Sequence, residues 1–117
     1  MADYGVAITW NESKAGREKQ ALALWMEAVA MNDKAVANGE LEKWDAVIFE
    51  MAPGSPAGAL RLYGSEEQVE AFMRTDDFRQ TIMRAGMLLN NVGYVRFVTG
   101  DRLVEGFAKY AELVESL

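Results

Sequence analysis

The chain contains no cysteine and no histidine. Without cysteine it has no disulfides, no thiolate nucleophile and no sulfur ligands for zinc or iron–sulfur clusters. Without histidine it lacks the commonest general base, the commonest zinc ligand and the usual proximal ligand of haem, and no Ser-His or Cys-His triad can be built. These absences favour a protein that uses no cofactor or metal, and they favour a binding role over catalysis.

Positive charge and long apolar runs are also scarce. The chain has 12 Lys and Arg residues against 18 Asp and Glu, a net charge of -6, and no run of basic residues. Such a surface is repelled by nucleic acid and by anionic membranes. No segment approaches the roughly 18 apolar residues of a membrane helix, and the N-terminus does not resemble a secretion signal. We therefore expect a cytoplasmic protein that binds neither nucleic acid nor membranes.

The remaining composition is that of a folded domain. Half of the 117 residues are apolar and only two are proline. A chain of this size can bury one hydrophobic core. We expect a single domain over residues 1–117.

Hydrophobic periodicity predicts the order strand, helix, strand, strand, helix, strand, with a further helix at the C-terminus. Residues 4–10 alternate with period two, as in a strand. Ser65-Glu66-Glu67-Gln68 is a capping-box pattern that begins the second long helix, which is expected to break near Thr75-Asp76. The other predicted elements are a helix from Arg17 to Asn38 capped by Ser13, strands over 44–51, 59–64 and 92–99, a loop over 52–58, and a helix from Gly100 whose apolar stripe comprises Leu103, Val104, Phe107, Tyr110, Ala111 and Val114.

This order is the split βαβ arrangement, so we predict an α+β, ferredoxin-like βαββαβ fold with a four-stranded antiparallel sheet. Right-handed crossovers place both long helices on one face of the sheet. The other face would then expose more apolar surface than a monomer leaves in water. We therefore predict a homodimer in which two sheets stack face to face.

Three glycine-containing segments occur in this frame: Gly16-Arg17-Glu18, Gly64-Ser65-Glu66-Glu67 and Gly93-Tyr94-Val95. With the element order, they make the chain resemble the dimeric α/β-barrel superfamily over most of its length, and we expect a bacterial member. The resemblance implies two four-stranded sheets stacked face to face. That superfamily includes cofactor-free monooxygenases, lactone isomerases, haem-handling proteins and ligand domains of transcription regulators, so the resemblance implies no single function.

The best candidate site is a group of polar side chains on the sheet. Arg61 and Tyr63 share one face of the third strand, Tyr94 and Arg96 share one face of the fourth, and Glu50 lies on the second. If the two pairs met in a cavity, two guanidinium groups and two phenols could hold a carboxylate or an aromatic acid. The alternative, which we favour, is that Arg61 or Arg96 forms an ion pair with Glu50 or Asp45.

The tryptophans and methionines have a simpler interpretation. Trp10, Trp25 and Trp44 are expected to pack in the core or an interface, with a ligand pocket as the alternative, for which Trp10 is the candidate. The helical methionines are predicted to point inward as core residues: Met26, Met73, Met83 and Met87.

Together these patterns predict a small homodimer that binds a small anionic or aromatic ligand or assists a pathway enzyme. The alternative is a cofactor-independent monooxygenase or isomerase. The absence of histidine favours the first of these functions.

Overall fold

The computed structural model describes residues 2–50 and 54–117, and its elements follow the predicted order. The elements are β1 (Tyr4–Trp10), α1 (Glu18–Ala37), β2 (Lys43–Ile48), β3 (Gly58–Gly64), α2 (Glu66–Met73), α3 (Asp76–Leu88), β4 (Gly93–Val98) and α4 (Gly100–Ser116). The four strands form one antiparallel sheet in the order β2-β3-β1-β4. The ferredoxin-like α+β prediction is confirmed. The start of the predicted loop 52–58 lies outside the described residues.

The alternation of β1 assigns every strand residue to one of two faces. Val6 pairs with Leu62 of β3 and with Arg96 of β4, and directly paired residues point the same way. We call this side, which packs against the helices, the helix face. The other side, called the open face, carries Gly5, Ala7 and Thr9 of β1 with their partners. Large residues on one side of β1 and small ones on the other thus set the layers of the domain.

The hydrophobic core lies between the helix face and the helices. Val6, Leu62 and Val69 have no exposed surface at all. The rest of the core surrounds them and comprises Tyr4, Ile8, Ala35, Leu41, Leu60, Phe72, Met73 and Phe78. The apolar side chains on the helix face of the sheet therefore form one continuous layer with those of the helices α2 and α3.

Side-chain caps define the starts of α2 and α3. Ser65 and Gln68 form the predicted capping box, each accepting a backbone N–H of the other. Thr75 caps α3 by accepting the Phe78 N–H at 3.2 Å, so the predicted break between α2 and α3 is confirmed. Ser13 does not cap α1, because Arg17 occupies that position and Ser13 pairs with Leu89 in an isolated β-bridge.

Two expectations about burial are wrong. Met73 is buried, but Met26, Met83 and Met87 are between 61 and 70% exposed. On α1 the inward stripe contains alanines and an asparagine beside Leu24 and Trp25, and Met26 lies outside that stripe. The apolar run Ala46-Val47-Ile48-Phe49 predicts a second strand covered on both faces, but the Ile48 side chain of β2 is 77% exposed.

The C-terminal helix projects from the domain. Arg102, near its start, donates to Glu66 at 2.9 Å and lies over the Tyr4 ring. From Leu103 onward every residue is exposed, including the predicted apolar stripe. The described part of the chain thus leaves this stripe without a packing partner. No helix in that part combines the length and hydrophobicity needed to cross a membrane.

On the open face two aromatic rings meet across a glycine. Tyr63 of β3 and Phe97 of β4 pack edge to face, with ring centroids 5.3 Å apart, across Gly5 of the intervening strand. A Cβ atom at Gly5 would collide with the Phe97 ring and lie 2.6 Å from the Leu62 carbonyl oxygen. The absence of a side chain at residue 5 therefore permits the aromatic contact.

We predict that Gly5→Ala destabilises the domain by about 1–3 kcal/mol, because the ring or the strand must move. The matched control is Gly93→Ala on the neighbouring strand, where a Cβ meets nothing within 4 Å. Urea unfolding followed by circular dichroism measures both. Equal effects of the two substitutions would contradict the proposed contact.

Glu70 of α2 ties the helix layer to the sheet. It accepts two hydrogen bonds from the Arg96 guanidinium, at 2.8 and 3.0 Å, and one from the Tyr4 hydroxyl at 3.0 Å. The Arg96 hydrogen bonds hold the pKa of Glu70 below its ordinary value of 4.5. Burial, together with the neighbouring Glu70, raises the pKa of Tyr4.

Because folding lowers the pKa of Glu70, its contribution to stability is present above the unfolded pKa and is lost as the pH falls through the folded one. We expect Glu70→Gln to cost about 1 kcal/mol or less at pH 7, since the pair is partly exposed, and to cost progressively less from pH 5 to pH 3. Urea titrations at each pH measure this difference. The exposed Glu105→Gln on α4 is the control, and a difference that stays constant over the whole pH range would refute the assignment.

Candidate functional site

A cavity of about 490 Å³ lies between the helix face of the sheet and the helices α1 and α3. Side chains from β1, β2, β3, α1, α3 and the connections around them line it, and it is partly open to solvent. The inward stripe of α1 contributes the small side chains of Ala21 and Ala28, and Ala85 does the same on α3. These alanines leave the space unfilled. Most of the remaining lining is apolar: Ile8, Trp10, Leu24, Trp25, Met31, Ile48, Ala57, Leu60, Leu62, Phe78, Ile82, Leu89 and Val92.

Two indole rings form an aromatic wall of this cavity. Trp10 ends β1 on the helix face, and Trp25 comes from α1. Their ring centroids are 5.9 Å apart, and the rings are tilted by 52°. Both are half-buried, so each keeps part of its surface free to contact a ligand.

Asn32 is the buried polar residue of the cavity lining. Its side chain is 1% exposed, yet neither its Nδ2 nor its Oδ1 atom has a hydrogen-bond partner among residues 2–50 and 54–117. Buried amide groups are nearly always paired, so an unpaired one requires an explanation. Each of these two atoms has less than 1 Å² of accessible surface, so the amide lies behind the cavity wall and is not open to the cavity itself.

The charged residue of the lining is Glu12, which lies at the mouth of the cavity in the segment 11–13 that follows β1. Glu12 accepts a hydrogen bond from the Asn90 side chain at 2.8 Å. Backbone hydrogen bonding first, and Asn90 second, lower the pKa of this exposed carboxyl. No cationic side chain occurs in the described lining. The site is therefore suited to uncharged, largely apolar molecules.

The structure separates the predicted polar cluster into two groups on opposite faces. Arg61 and Tyr63 lie on the open face, where Arg61 donates to both carboxylate oxygens of Asp45, at 2.7 and 3.0 Å. Arg61 is the main cause of the lowered pKa of Asp45, whereas burial raises the pKa of Tyr63. This confirms the ion-pair alternative for Arg61 and Asp45.

Tyr94 and Arg96 lie on the helix face, at the edge strand β4. They border a shallow groove that also contains Glu70, Arg74 and Arg79. Arg96 is engaged by Glu70 and not by either predicted partner, Glu50 or Asp45. Two arginines of this groove have no ion pair among the described residues, which makes the groove more cationic than the cavity.

Of the other predicted residues, Trp10 lies at the cavity and Glu50 does not. Glu50 follows β2 and is exposed. Trp44 lies outside the cavity and donates its indole N–H to Asp33 at 2.7 Å. Sequence reasoning missed Asn32, although one signal was present: an asparagine at helical spacing from Leu24, Trp25 and Ala28 within the inward stripe.

Comparisons with known proteins bear on the fold. No protein-family model matches the chain, and no curated protein is significantly similar to it in sequence. Among solved structures, it is similar to a dimeric protein of unknown function with a ferredoxin-like fold from Bacteroides fragilis, with a TM-score of 0.56 and 11% identity over 82% of this chain and 96% of that one. It is also similar to a dimeric ferredoxin-like protein of unknown function from Thermobifida fusca, with a TM-score of 0.58 and 15% identity over 85% of this chain and 93% of that one. At such low identity the likeness shows the fold alone, and that fold is ferredoxin-like.

Proposed function

We propose that this protein binds a small, uncharged and largely apolar or aromatic molecule in the cavity between the sheet and α1 and α3. The observation that carries the proposal is the cavity itself, because a concave and mostly apolar space of this kind is the usual form of a small-molecule site. Its volume falls within the range of about 300–1,000 Å³ that is usual for small-molecule sites. The Trp10 and Trp25 rings supply a wall on which a flat molecule can lie.

The electrostatics of the lining favour a neutral ligand over an anionic one. An anion in this cavity would lose its hydration without gaining a cationic partner from the described lining, and would lie near the Glu12 carboxylate. An anionic ligand would instead find its cations at the groove bordered by Tyr94 and Arg96. The sequence predicted an anionic or aromatic ligand. We therefore propose that an aromatic ligand would bind in the cavity, whereas an anionic one would bind in the groove.

A cofactor-independent monooxygenase or isomerase remains the alternative function. Either reaction requires a group that moves a proton. In the described lining the ionisable group is Glu12, which is exposed at the mouth and already accepts hydrogen bonds. No observation favours catalysis over binding, so we propose binding, or an accessory role in delivering the bound molecule to an enzyme.

We also propose that the protein is a homodimer, as the dimeric α/β-barrel superfamily would imply. Both structural neighbours are described as dimeric. The exposed stripe on α4 and the open face, where Val95 is 61% exposed, are the apolar surfaces that a second copy could cover. Sheet-to-sheet stacking, a bacterial source and a cytoplasmic location are parts of the same proposal.

Cavity binding can be tested with the neutral dye N-phenyl-1-naphthylamine, titrated against the Trp44→Phe protein so that Trp10 and Trp25 report alone. We expect saturable binding of one dye per chain, with changes in both dye and tryptophan fluorescence. Ala28→Phe, which fills the cavity, should weaken binding at least about tenfold, because an overpacked site costs about 1–3 kcal/mol.

The matched control for this substitution is Ala30→Phe on the exposed side of the same helix. It should bind the dye as the parent does. Circular dichroism confirms that both variants are folded. Equal binding by both folded variants would place the dye outside the cavity and contradict the proposal.

The dimer is tested by sedimentation equilibrium at micromolar concentration. We expect twice the 13.0 kDa chain mass for the parent, and the chain mass for Phe107→Glu, because a charge in an apolar interface is costly to bury. Lys109→Glu, on the same exposed helix, should remain dimeric. A monomeric parent protein would refute the dimer, and dye binding that appears only in Phe107→Glu would show that a partner copy fills the cavity.

A further inference from the structure

We infer that α4 of one copy packs antiparallel against α4 of a second copy, and that the homodimer depends on this helix pair. The inference rests on the proposed homodimer, and it adds which surface forms the interface and in which direction the two helices run. It is carried by the apolar side of α4, which projects from the domain with its side chains exposed.

The apolar surface of α4 is large enough to form an interface. Six of its large apolar side chains are between 42 and 67% exposed: Leu103, Val104, Phe107, Tyr110, Leu113 and Val114. They expose on the order of 600 Å² per copy, since one aromatic side chain alone has roughly 150–250 Å². This equals the largest apolar patch, about 300–600 Å², of a typical monomer. Two copies together bring about 1,200 Å², where the size range of stable interfaces begins.

The spacing of these side chains indicates that the partner surface is another helix. Four of them recur at intervals of four, three and four residues: Leu103, Phe107, Tyr110 and Val114. This is the alternation by which two helices interlock along a common seam. With about 3.6 residues per turn, the charged residues of α4 fall on the side away from this seam. They are Asp101, Arg102, Glu105, Lys109, Glu112 and Glu115.

The small residues beside the seam and the weaker alternative surface also favour α4 as the partner. Gly106 and Ala111 flank the seam, where their size allows two helices to approach closely. The open face of the sheet offers less apolar surface, because β1 contributes only small side chains there and the Tyr63 and Phe97 rings already contact each other. Within the strands of that face, Val95 is the large apolar side chain that is exposed. In a two-fold dimer the same surface serves both copies, so α4 meets α4.

The position of the domain and the charges favour an antiparallel pair. Since α4 begins directly after β4, a parallel pair would hold two chains of net charge -6 side by side at one end, whereas an antiparallel pair separates them. It also places Glu112 and Glu115 beside the positive end of the partner's helix dipole. The alignment that sets Leu103 opposite Val114 also sets Phe107 opposite Tyr110, so every layer of the seam contains two large apolar side chains.

Because the chain contains no cysteine, the pairing can be tested by disulfide cross-linking of the full chain. Leu103→Cys and Val114→Cys are mixed in urea, refolded together and oxidised, and intact mass spectrometry resolves the disulfide-linked products. We expect the mixed product to exceed either product of two identical chains at least about tenfold, because a disulfide requires Cα atoms within about 7 Å. In the antiparallel pair, two copies of residue 103 would lie about 16 Å apart along the helix axis.

The matched control is Glu105→Cys mixed with Glu112→Cys. These residues lie opposite each other at one level of the same antiparallel alignment, but on the outer side of the helices, so they should give no excess of the mixed product. Adding Phe107→Glu to both chains of the 103 and 114 mixture should reduce its cross-linking to the level of this control. Circular dichroism confirms that each variant is folded.

The outcomes separate the inference from the dimer on which it rests. An excess of products between identical chains would indicate a parallel pair, and equal amounts of all the products would indicate random collisions, and either result overturns the inference. If the parent is dimeric, no product forms and Phe107→Glu remains dimeric, the interface lies elsewhere, so the inference fails while the dimer stands. A monomeric parent refutes both.

Discussion

The pairing register of the central strand β1 is the constraint on which the rest of this structure depends. Val6 pairs with Leu62 on one side and with Arg96 on the other, whereas Ala7 pairs with Arg61 and Val95. A shift of one residue in either ladder would move every side chain of the neighbouring strand to the opposite face. The register therefore decides which residues reach the core, which line the cavity and which remain on the open face.

The same register explains why the polar side chains of β3 and β4 do not form one site. Spacing within a strand correctly placed Arg61 with Tyr63, and Tyr94 with Arg96. Whether two strands present their polar sides to the same face depends on the residue in β1 that each one pairs with. Because Arg61 aligns with Ala7 and Arg96 with Val6, one arginine meets Asp45 on the open face while the other meets the carboxylate of α2.

The cavity arises from small and polar side chains, which contribute little to a hydrophobic pattern. Alanines on α1 and α3 face the sheet without filling the space in front of it, and Asn32 interrupts an otherwise apolar stripe. The prediction that the helical methionines are core residues instead favoured Met26, which is exposed. The residues that form this cavity are thus the ones that weaken the signal for burial, and this is why the sequence provided little indication of the candidate site.

The sequence by itself determined the element order, the capping box at Ser65, the helix break at Thr75 and the alternation of β1, because each depends on residues close together in the chain. The sequence also established which kinds of chemistry are excluded, because the chain contains no cysteine and no histidine. Only the tertiary structure decided that Trp10 and Trp25 form one wall, that Asn32 has no partner among the described residues, and that α4 projects from the domain. These depend on register and on helix packing, which bring together residues far apart in the chain.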